Sequence, residues 1–271
     1  MSTHSHTRRL TQADLAKLRE TGEKVAMFTC YDASFARLLD GAGVDALLIG
    51  DSLGNVIQGH DSTLPVTVTD IAYHTAAVKR GCDRPFIIAD MPFGSYQESP
   101  AQALRNAVTL LAAGAQMVKL EGGAVMAETV RFLVERGIPV CAHIGLTPQS
   151  VHQLGGYRVQ GRSDSGAATL KADAFALEQA GAALMVLEMI PAALATDLTR
   201  SLTTMATIGI GAGVDCHGQV LVLHDLIGVF PGRRPRFAKN FMEGASSIDE
   251  AVTRYVNDVR ESRFPGPEHS Y

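Results

Sequence analysis

The sequence predicts an α/β fold in which eight parallel strands close into a (β/α)8 barrel. Three observations support this prediction: short apolar runs recur along the chain, segments with helical spacing separate most of them, and several helix-to-strand junctions resemble one another. Continuous apolar runs, in place of alternating ones, indicate strands that are buried on both faces, as in a parallel sheet. Eight such runs within 271 residues fit the usual size of this barrel.

The predicted strands are short and are bounded by glycine or polar residues. The main alternative is a doubly wound open sheet, whose first helix usually opens with a G-x-G-x-x-G motif that this chain lacks. In chain order the predicted strands are Val25–Cys30, Ala46–Ile49, Phe86–Ala89, Met117–Leu120, Val140–Ile144, Leu184–Leu187, Thr207–Ile210 and Val220–Leu223.

The connections between the strands also follow a pattern. In each of three junctions a glycine is expected to end a helix in the left-handed conformation, a strand follows, and a carboxylate ends that strand. These junctions are Gly41–Asp51, Ala113–Glu121 and Ala180–Glu188, and Gly137–His143 is a weaker copy that ends on histidine. Helices are predicted over Ala101–Ala113, Ala124–Arg136, Ala172–Ala180 and Gly244–Arg260, with a polar tail at Phe264–Tyr271.

The composition limits the possible functions. Lys and Arg number 24 against 28 Asp and Glu, so the chain lacks the basic excess that nucleic-acid binders use to neutralise phosphates. No run reaches 18 apolar residues, and no apolar segment follows the N-terminal arginines, which argues against a membrane partner and a secretory signal. Four scattered cysteines fit a reducing compartment. We expect a single cytoplasmic domain over residues 1–271, with a disordered N-terminal tail of about ten residues.

Side chains that can carry chemistry fall at the predicted strand ends. In a parallel barrel the active site lies at the C-terminal ends of the strands. Any single acid there could instead cap the next helix, but four acids at equivalent positions are expected to converge on one mouth. Lys119 and Glu121 are two residues apart in one strand, so both should point into the barrel. The residues selected in this way are Asp51, Asp90, Lys119, Glu121, His143 and Glu188.

A cluster of carboxylates at such a mouth predicts a divalent cation. Oxygen ligands suit Mg²⁺ better than zinc, because His143 is the only nearby nitrogen ligand. Such an ion would chelate a 2-oxo acid and stabilise the enolate that forms when a neighbouring acid removes the α-proton. Lys119 has two interpretations: it is a salt-linked lysine that holds the substrate carboxylate, or it forms a Schiff base as in metal-independent aldolases.

Ten stretches of the chain resemble the ketopantoate hydroxymethyltransferase family. The resemblance runs from about Met27 to the C-terminus, and its long motifs are specific to this family. It implies a TIM barrel of the phosphoenolpyruvate/pyruvate type, one Mg²⁺ per subunit, and a homodecamer built from two pentamers. The matching stretches are Gly50–Gly54, Gly59–Thr67, Ile71–Thr75, Ala89–Phe93, Val118–Gly123, His143–Ser150, Gly155–Gly161, Leu187–Glu188, Gly209–Gly213 and Phe237–Phe241.

The resemblance also implies roles for individual residues. The implied reaction transfers a hydroxymethyl group from 5,10-methylenetetrahydrofolate to 3-methyl-2-oxobutanoate and yields 2-dehydropantoate for pantothenate synthesis, through a metal-stabilised enolate. Glu188 would be the proton acceptor. Metal ligands would be Asp51, Asp90 and Glu121, and contacts to the 2-oxo acid would be Asp51, Ser52, Asp90 and Lys119.

Several features stay open at this point. His217 stands where the family more often has an acid, so a contact from that side chain is in doubt. His143 either donates a hydrogen bond at the mouth or is an inward histidine with satisfied partners, and Ser52 could be only a turn residue. The polar, glycine-rich loop Val151–Ser165 covers the site or is an ordinary surface excursion. Glycines 209–213 favour a tight turn over a phosphate cradle.

Two competing functions differ in what they require of the sequence. An Mg²⁺-dependent lyase on the same barrel would normally need a nucleophile or acid on a mobile loop, and no cysteine here lies in a K-K-C-G-H-like setting. A non-catalytic scaffold would have no need for four inward acids and a lysine, because burying such groups without partners is costly.

Overall fold

Eight parallel strands form a closed barrel in the computed structural model, which describes residues 8–229 and 234–271. Each strand pairs with its neighbours in chain order, and the last strand closes the ring against the first, with Gly218 opposite Val25. The predicted (β/α)8 barrel is therefore confirmed. The strands are β1 Val25–Thr29, β2 Ala46–Ile49, β3 Phe86–Asp90, β4 Met117–Glu121, β5 Val140–Gly145, β6 Leu184–Glu188, β7 Ala206–Ile210 and β8 Gly218–Leu221.

The helices of the described residues surround this barrel and connect its strands. Short 3-10 segments lie at Ala124–Met126, Pro148–Ser150 and Pro267–His269. The α-helices are α1 Gln12–Thr21, α2 Ala33–Gly41, α3 Leu53–Val56, α4 Val68–Gly81, α5 Pro100–Ala113, α6 Ala127–Val134, α7 Val151–Leu154, α8 Asp164–Gln179, α9 Ala192–Ser201, α10 Leu223–Leu226 and α11 Ile248–Arg260.

The strand predictions hold to within two residues. Strand residues are buried throughout, apart from Gly145 and Glu188 at two strand ends, which confirms that both faces of the sheet are covered. β8 shifts most: it begins two residues before the predicted Val220, because Gly218 pairs with both Val25 and Ile208. Three strands extend by one residue to include the acid that was expected to follow them: Asp90, Glu121 and Glu188.

The helix predictions are right in position and less accurate at their ends. The Ser163 hydroxyl accepts a hydrogen bond from the Gly166 amide, so α8 begins eight residues earlier than the predicted Ala172. The Ser247 hydroxyl caps α11 through the Glu250 amide, which places its start at Ile248 instead of Gly244. The predicted left-handed glycines are present at the three junctions, at Gly43, Gly114 and Gly181.

The C-terminal segment and the first described residues pack against the barrel more closely than predicted. The polar tail predicted for the C-terminal segment is wrong: Phe264 is 3% exposed and packs on Phe241 and Tyr255. The Tyr271 carbonyl accepts a hydrogen bond from the Ala192 amide. The predicted disordered N-terminal tail lies largely at residues 1–7, outside the described residues, and the Leu10 amide donates to the Arg84 carbonyl.

The described residues contain no helix that is long and apolar enough to cross a bilayer. All four cysteines of the chain are described, and each is a buried free thiol.

His217 lies at the start of β8, at the end of the barrel opposite the predicted mouth. Its Nδ1 lies 3.1 Å from the Thr207 amide nitrogen and accepts that N–H. Burial, together with the nearby charges of Arg19 and Lys24, lowers the pKa of His217 to about 4. The imidazole is therefore a neutral acceptor in the native state and is far from the site in which its role was in doubt.

We predict that His217 makes the protein sensitive to acid. The unfolded chain binds a proton at this residue near pH 6.5, whereas the folded chain does so only near pH 4, so stability falls as the pH drops between these values. His217→Asn keeps an acceptor at the position of Nδ1 and cannot titrate. Urea unfolding at pH 7.5 and pH 5.0 should show a smaller loss of midpoint in the variant. Equal losses in the two proteins would contradict this assignment.

Candidate active site

A cavity of about 540 Å³ lies at the C-terminal ends of the strands. All the residues that the sequence placed there line it, and all but Ser52 and Glu188 are buried. The convergence expected from the strand-end positions is therefore observed. These residues are Asp51, Ser52, Asp90, Lys119, Glu121, His143 and Glu188.

The register of neighbouring strands brings charges of opposite sign together. Asp90 of β3 is opposite Lys119 of β4, and Lys119 Nζ lies 2.7 Å from Asp90 Oδ1. Glu121 is two residues further along β4, and its Oε1 is 3.9 Å from the same ammonium. Lys119 and Glu121 thus share the inner face of the barrel, as their spacing predicted.

Lys119 is held as a cation. Burial alone would lower its pKa, but Asp90, Glu121 and Asp51 outweigh burial and hold the pKa above the usual value. A Schiff base requires the neutral amine as nucleophile, whereas this environment favours the ammonium. The geometry therefore favours the salt-linked interpretation of Lys119.

Asp51 and Asp90 are in direct contact through the backbone. Asp51 follows β2, and its amide donates to Asp90 Oδ2 at 2.9 Å. Burial and the charges of Asp90 and Glu121 raise the pKa of Asp51 to about 8, and burial also raises the pKa of Asp90. Asp90 Oδ1 is buried and makes no hydrogen bond of ordinary geometry, although Lys119 is close. A nearby cation lowers the pKa of buried carboxylates such as these and so favours their charged forms.

The three acids expected to bind metal have different hydrogen-bond and ion-pair partners. In residues 8–229 and 234–271, no three acid, histidine or cysteine side chains are grouped tightly enough to hold an ion as they stand. Asp51 Oδ2 accepts from Gln149 Nε2, and Glu121 Oε2 accepts from the Gln149 amide. Their all-oxygen chemistry fits a hard cation such as Mg²⁺. The assignment of Asp51, Asp90 and Glu121 as ligands stays a prediction.

Gln149 is a central site residue that the strand-end positions did not select. Its Nε2 donates to Asp51 Oδ2 at 2.9 Å and to the Met91 carbonyl at 3.0 Å. The hydroxyl of Tyr96 donates to its Oε1 at 2.7 Å and thereby fixes which end of the amide faces Asp51. Gln149 lies in the short 3-10 segment Pro148–Ser150 after β5, so strand position alone could not identify it. Its place in the stretch His143–Ser150 was the available signal.

His143 connects two of the acids. Its Nδ1 is 3.2 Å from Glu121 Oε1, and its Nε2 is 3.3 Å from Glu188 Oε2. Burial and nearby Lys119 lower its pKa, but Glu121 and Glu188 outweigh them and raise the pKa to about 9. Nε2 is buried and makes no hydrogen bond of ordinary geometry, so the two roles left open for His143 both stay predictions.

The backbone around Glu188 is closely constrained. Its side chain is 14% exposed and faces the cavity. The Leu146 amide donates to the Glu188 carbonyl at 2.8 Å, and a Cβ on Gly145 would overlap that carbonyl oxygen. Met189, immediately after Glu188, has a φ of 46°, which is a strained conformation for a residue with a side chain. These constraints fix the direction in which the Glu188 carboxylate leaves the strand.

The remaining predicted features lie around the cavity. Ser52 Oγ is 2.8 Å from the Tyr31 hydroxyl and makes no capping bond to α3, and its contact with a substrate stays a prediction. The loop Val151–Ser165 contains α7 and contributes Tyr157 to the cavity wall. Gly211 and Gly213 have positive φ, as expected for a tight turn after β7.

Solved structures with a similar fold belong to a group of barrel enzymes. A putative phosphonomutase from Burkholderia cenocepacia J2315 has a TM-score of 0.63 at 17% identity and covers 81% of this chain and 95% of its own. A phosphonopyruvate hydrolase has a TM-score of 0.62 at 14% identity, covering 94% and 98%. A 2,3-dimethylmalate lyase described as a PEP mutase/isocitrate lyase superfamily member has a TM-score of 0.57 at 18% identity, covering 80% and 82%. The likeness agrees with the (β/α)8 barrel and shows the fold alone.

Sequence relatives show the family. The family model described as ketopantoate hydroxymethyltransferase matches residues 9–267. A 3-methyl-2-oxobutanoate hydroxymethyltransferase from Azoarcus sp. (strain BH72) is 73% identical over 262 residues, covering 97% of each chain. A protein of the same name from Dechloromonas aromatica (strain RCB) is 71% identical over 271 residues, covering 100% of this chain and 99% of its own. The chain therefore belongs to the ketopantoate hydroxymethyltransferase family of enzymes.

Proposed function

We propose that this enzyme transfers a hydroxymethyl group from 5,10-methylenetetrahydrofolate to 3-methyl-2-oxobutanoate. With one water, the products are 2-dehydropantoate and tetrahydrofolate, and the reaction serves pantothenate synthesis in the cytoplasm. The observation that carries the proposal is the buried set of acids around Lys119, in a chain more than 70% identical to relatives named for this activity. We also propose assembly as a decamer of two pentamers, in keeping with the family.

Asp51, Asp90 and Glu121 are the residues that we assign to one Mg²⁺ per subunit. Their oxygens line one cavity, and burial raises the pKa of Asp51 and Asp90, so a bound cation would favour the charged forms of these carboxylates. When bound, the ion supplies a Lewis acid that lowers the energy of negative charge on the oxo acid.

Lys119 and Ser52 are the proposed contacts of the oxo acid. Ion pairing with Asp90 fixes the ammonium of Lys119 at the cavity wall, where a substrate carboxylate gains a buried charge-assisted contact. The Ser52 hydroxyl, positioned by Tyr31, can donate a hydrogen bond to the same substrate. Asp51 and Asp90 are the other two proposed contacts of the oxo acid.

Glu188 is the proposed base that removes the proton from C3 of the oxo acid. Its carboxylate reaches the cavity, and its Oε2 lies 3.3 Å from His143 Nε2. Water replaces both folate nitrogens on the methylene carbon, which leaves tetrahydrofolate and the one-carbon unit at the oxidation level of formaldehyde. The electron pair left at C3 adds to that carbon, and the proton held by the Glu188 carboxyl passes to the new alkoxide oxygen, which becomes the hydroxyl. The constrained backbone on both sides of Glu188 favours one approach to the substrate.

Cofactor and co-substrate dependence tests the reaction. Consumption of 3-methyl-2-oxobutanoate should require 5,10-methylenetetrahydrofolate, stop in EDTA and resume when Mg²⁺ is added in excess, because the three acids need the cation. Formation of tetrahydrofolate, followed by chromatography, measures the transfer directly. Cleavage of a 2-hydroxy acid without any folate would instead indicate the lyase on the same barrel.

Replacing Glu188 separates binding from proton removal. Glu188→Gln should bind the oxo acid with nearly unchanged affinity but lose exchange of the C3 proton with deuterated solvent by about a hundred- to ten-thousand-fold. Proton NMR measures the exchange, and calorimetry measures the binding. Glu128→Gln, a change of an exposed acid on α6, is the matched control. Exchange at the wild-type rate in Glu188→Gln would remove Glu188 from this role.

The charge state of Lys119 predicts the result of reductive trapping. Because Asp90, Glu121 and Asp51 favour the ammonium, borohydride added with 3-methyl-2-oxobutanoate should leave Lys119 unmodified. Peptide mass spectrometry after digestion reads this out. A reduced substrate adduct on Lys119 would overturn the proposed enolate route in favour of a Schiff base.

A further inference from the structure

The cavity has two chemically different sides. The side formed by β2 to β6 carries the acids, Lys119 and His143, whereas the side beyond β7 and β8 is apolar. Val222, Pro235, Phe237 and Tyr271 line this second side. One acid, Asp225 in α10, lies among these residues and is 6% exposed.

Asp225 has no structural role that the described residues reveal. In residues 8–229 and 234–271 its carboxylate makes no hydrogen bond and no ion pair. It occupies the third position of α10, where acids commonly accept from the N-cap amide. Asp14 and Asp70 do so at the same position of α1 and α4, at 2.8 and 2.9 Å, but Asp225 does not.

Keeping such a group buried is unfavourable for folding. Burial raises the pKa of Asp225 to about 6, although Arg234 works in the opposite direction. A carboxylate held without a partner in an apolar wall costs stability unless a ligand supplies donors. The cavity itself has the volume of pockets that bind drug-sized molecules, which exceeds the need of a small oxo acid.

The pterin ring of a reduced folate has the complementary chemistry. Its N3–H and its 2-amino group lie side by side and point the same way, so one carboxylate can accept from both, as it does from a guanidinium. The rest of the ring is flat and suits contact with aromatic and proline side chains. With the oxo acid on the charged side, the apolar side is the space left for this ring.

We propose that Asp225 binds the pterin ring of the folate co-substrate by accepting hydrogen bonds from N3–H and the 2-amino group. Pro235, Phe237 and Tyr271 contact the faces of the ring. This assignment rests on the function proposed above and adds the side of the cavity on which the second substrate binds.

The test compares tetrahydrofolate binding by the wild-type enzyme and by Asp225→Asn. An amide of the same shape offers one acceptor and opposes the second donor, so calorimetry should show binding weakened about 10- to 100-fold. The 2-desamino-2-methyl analogue of tetrahydrofolate lacks one donor and should bind the two proteins with similar affinity. Asp249→Asn, a change of an exposed acid on α11, should bind tetrahydrofolate as the wild type does. Unchanged tetrahydrofolate binding in Asp225→Asn would overturn the assignment.

Two further measurements distinguish a pterin contact from a role of Asp225 in oxo acid binding or in folding. Exchange of the C3 proton of the oxo acid needs no folate, so Asp225→Asn should retain it, and the ligand-free variant should unfold at the same temperature or higher. Lost exchange would place Asp225 in the oxo acid site and overturn the assignment. If the wild-type enzyme neither exchanges this proton nor binds tetrahydrofolate, the proposed function fails, and the pterin assignment fails with it.

Discussion

The ion pair between Lys119 and Asp90 is the interaction on which the site depends. At 2.7 Å and buried inside the barrel, it balances the charge of Asp90, and the same ammonium lies 3.9 Å from Glu121, which His143 also approaches. Removing one partner of a buried pair typically costs about 3–5 kcal/mol, because the other charge is left uncompensated. The strand register places the two residues opposite each other, so the pairing of β3 with β4 brings these two charges together.

From this pair the contacts extend outward through close charged pairs and hydrogen bonds. Glu121 faces His143, His143 faces Glu188, and Gln149 joins Asp51 to the backbone beside Glu121. Each link connects a different pair of strands or a strand to a loop, so the side chains are positioned by the whole ring and not by one element. Preorganised positions of this kind reduce the rearrangement needed when charge develops on a substrate.

Much of this arrangement could be predicted from the sequence. Buried parallel strands leave continuous apolar runs, and acids at the ends of such runs must meet at one mouth, so Asp51, Asp90 and Glu188 could be placed without coordinates. Gln149 could not, because its contact with Asp51 spans 98 residues and joins two loops. Asp225 was missed because it lies in the short helix α10, which no sequence pattern predicted, and not at the end of a predicted strand. The C-terminal segment looked polar, and only its packing on α11 and α9 shows that it belongs to the barrel.

Polar groups differ between the two ends of the barrel: those at the bottom contribute to stability, whereas those at the mouth are suited to binding. At the bottom, Lys24 donates to the carbonyls of Val214 and Cys216, and His217 accepts from Thr207, so these polar groups have partners, although Arg19 Nε there makes no hydrogen bond. At the mouth, Asp90 Oδ1 lacks a hydrogen bond of ordinary geometry, Met189 is strained, and burial raises the pKa of Asp225. A fold selected for stability alone would not keep these features together. They are concentrated where substrates and a cation can provide the missing partners, so the cost to the free enzyme is offset on binding.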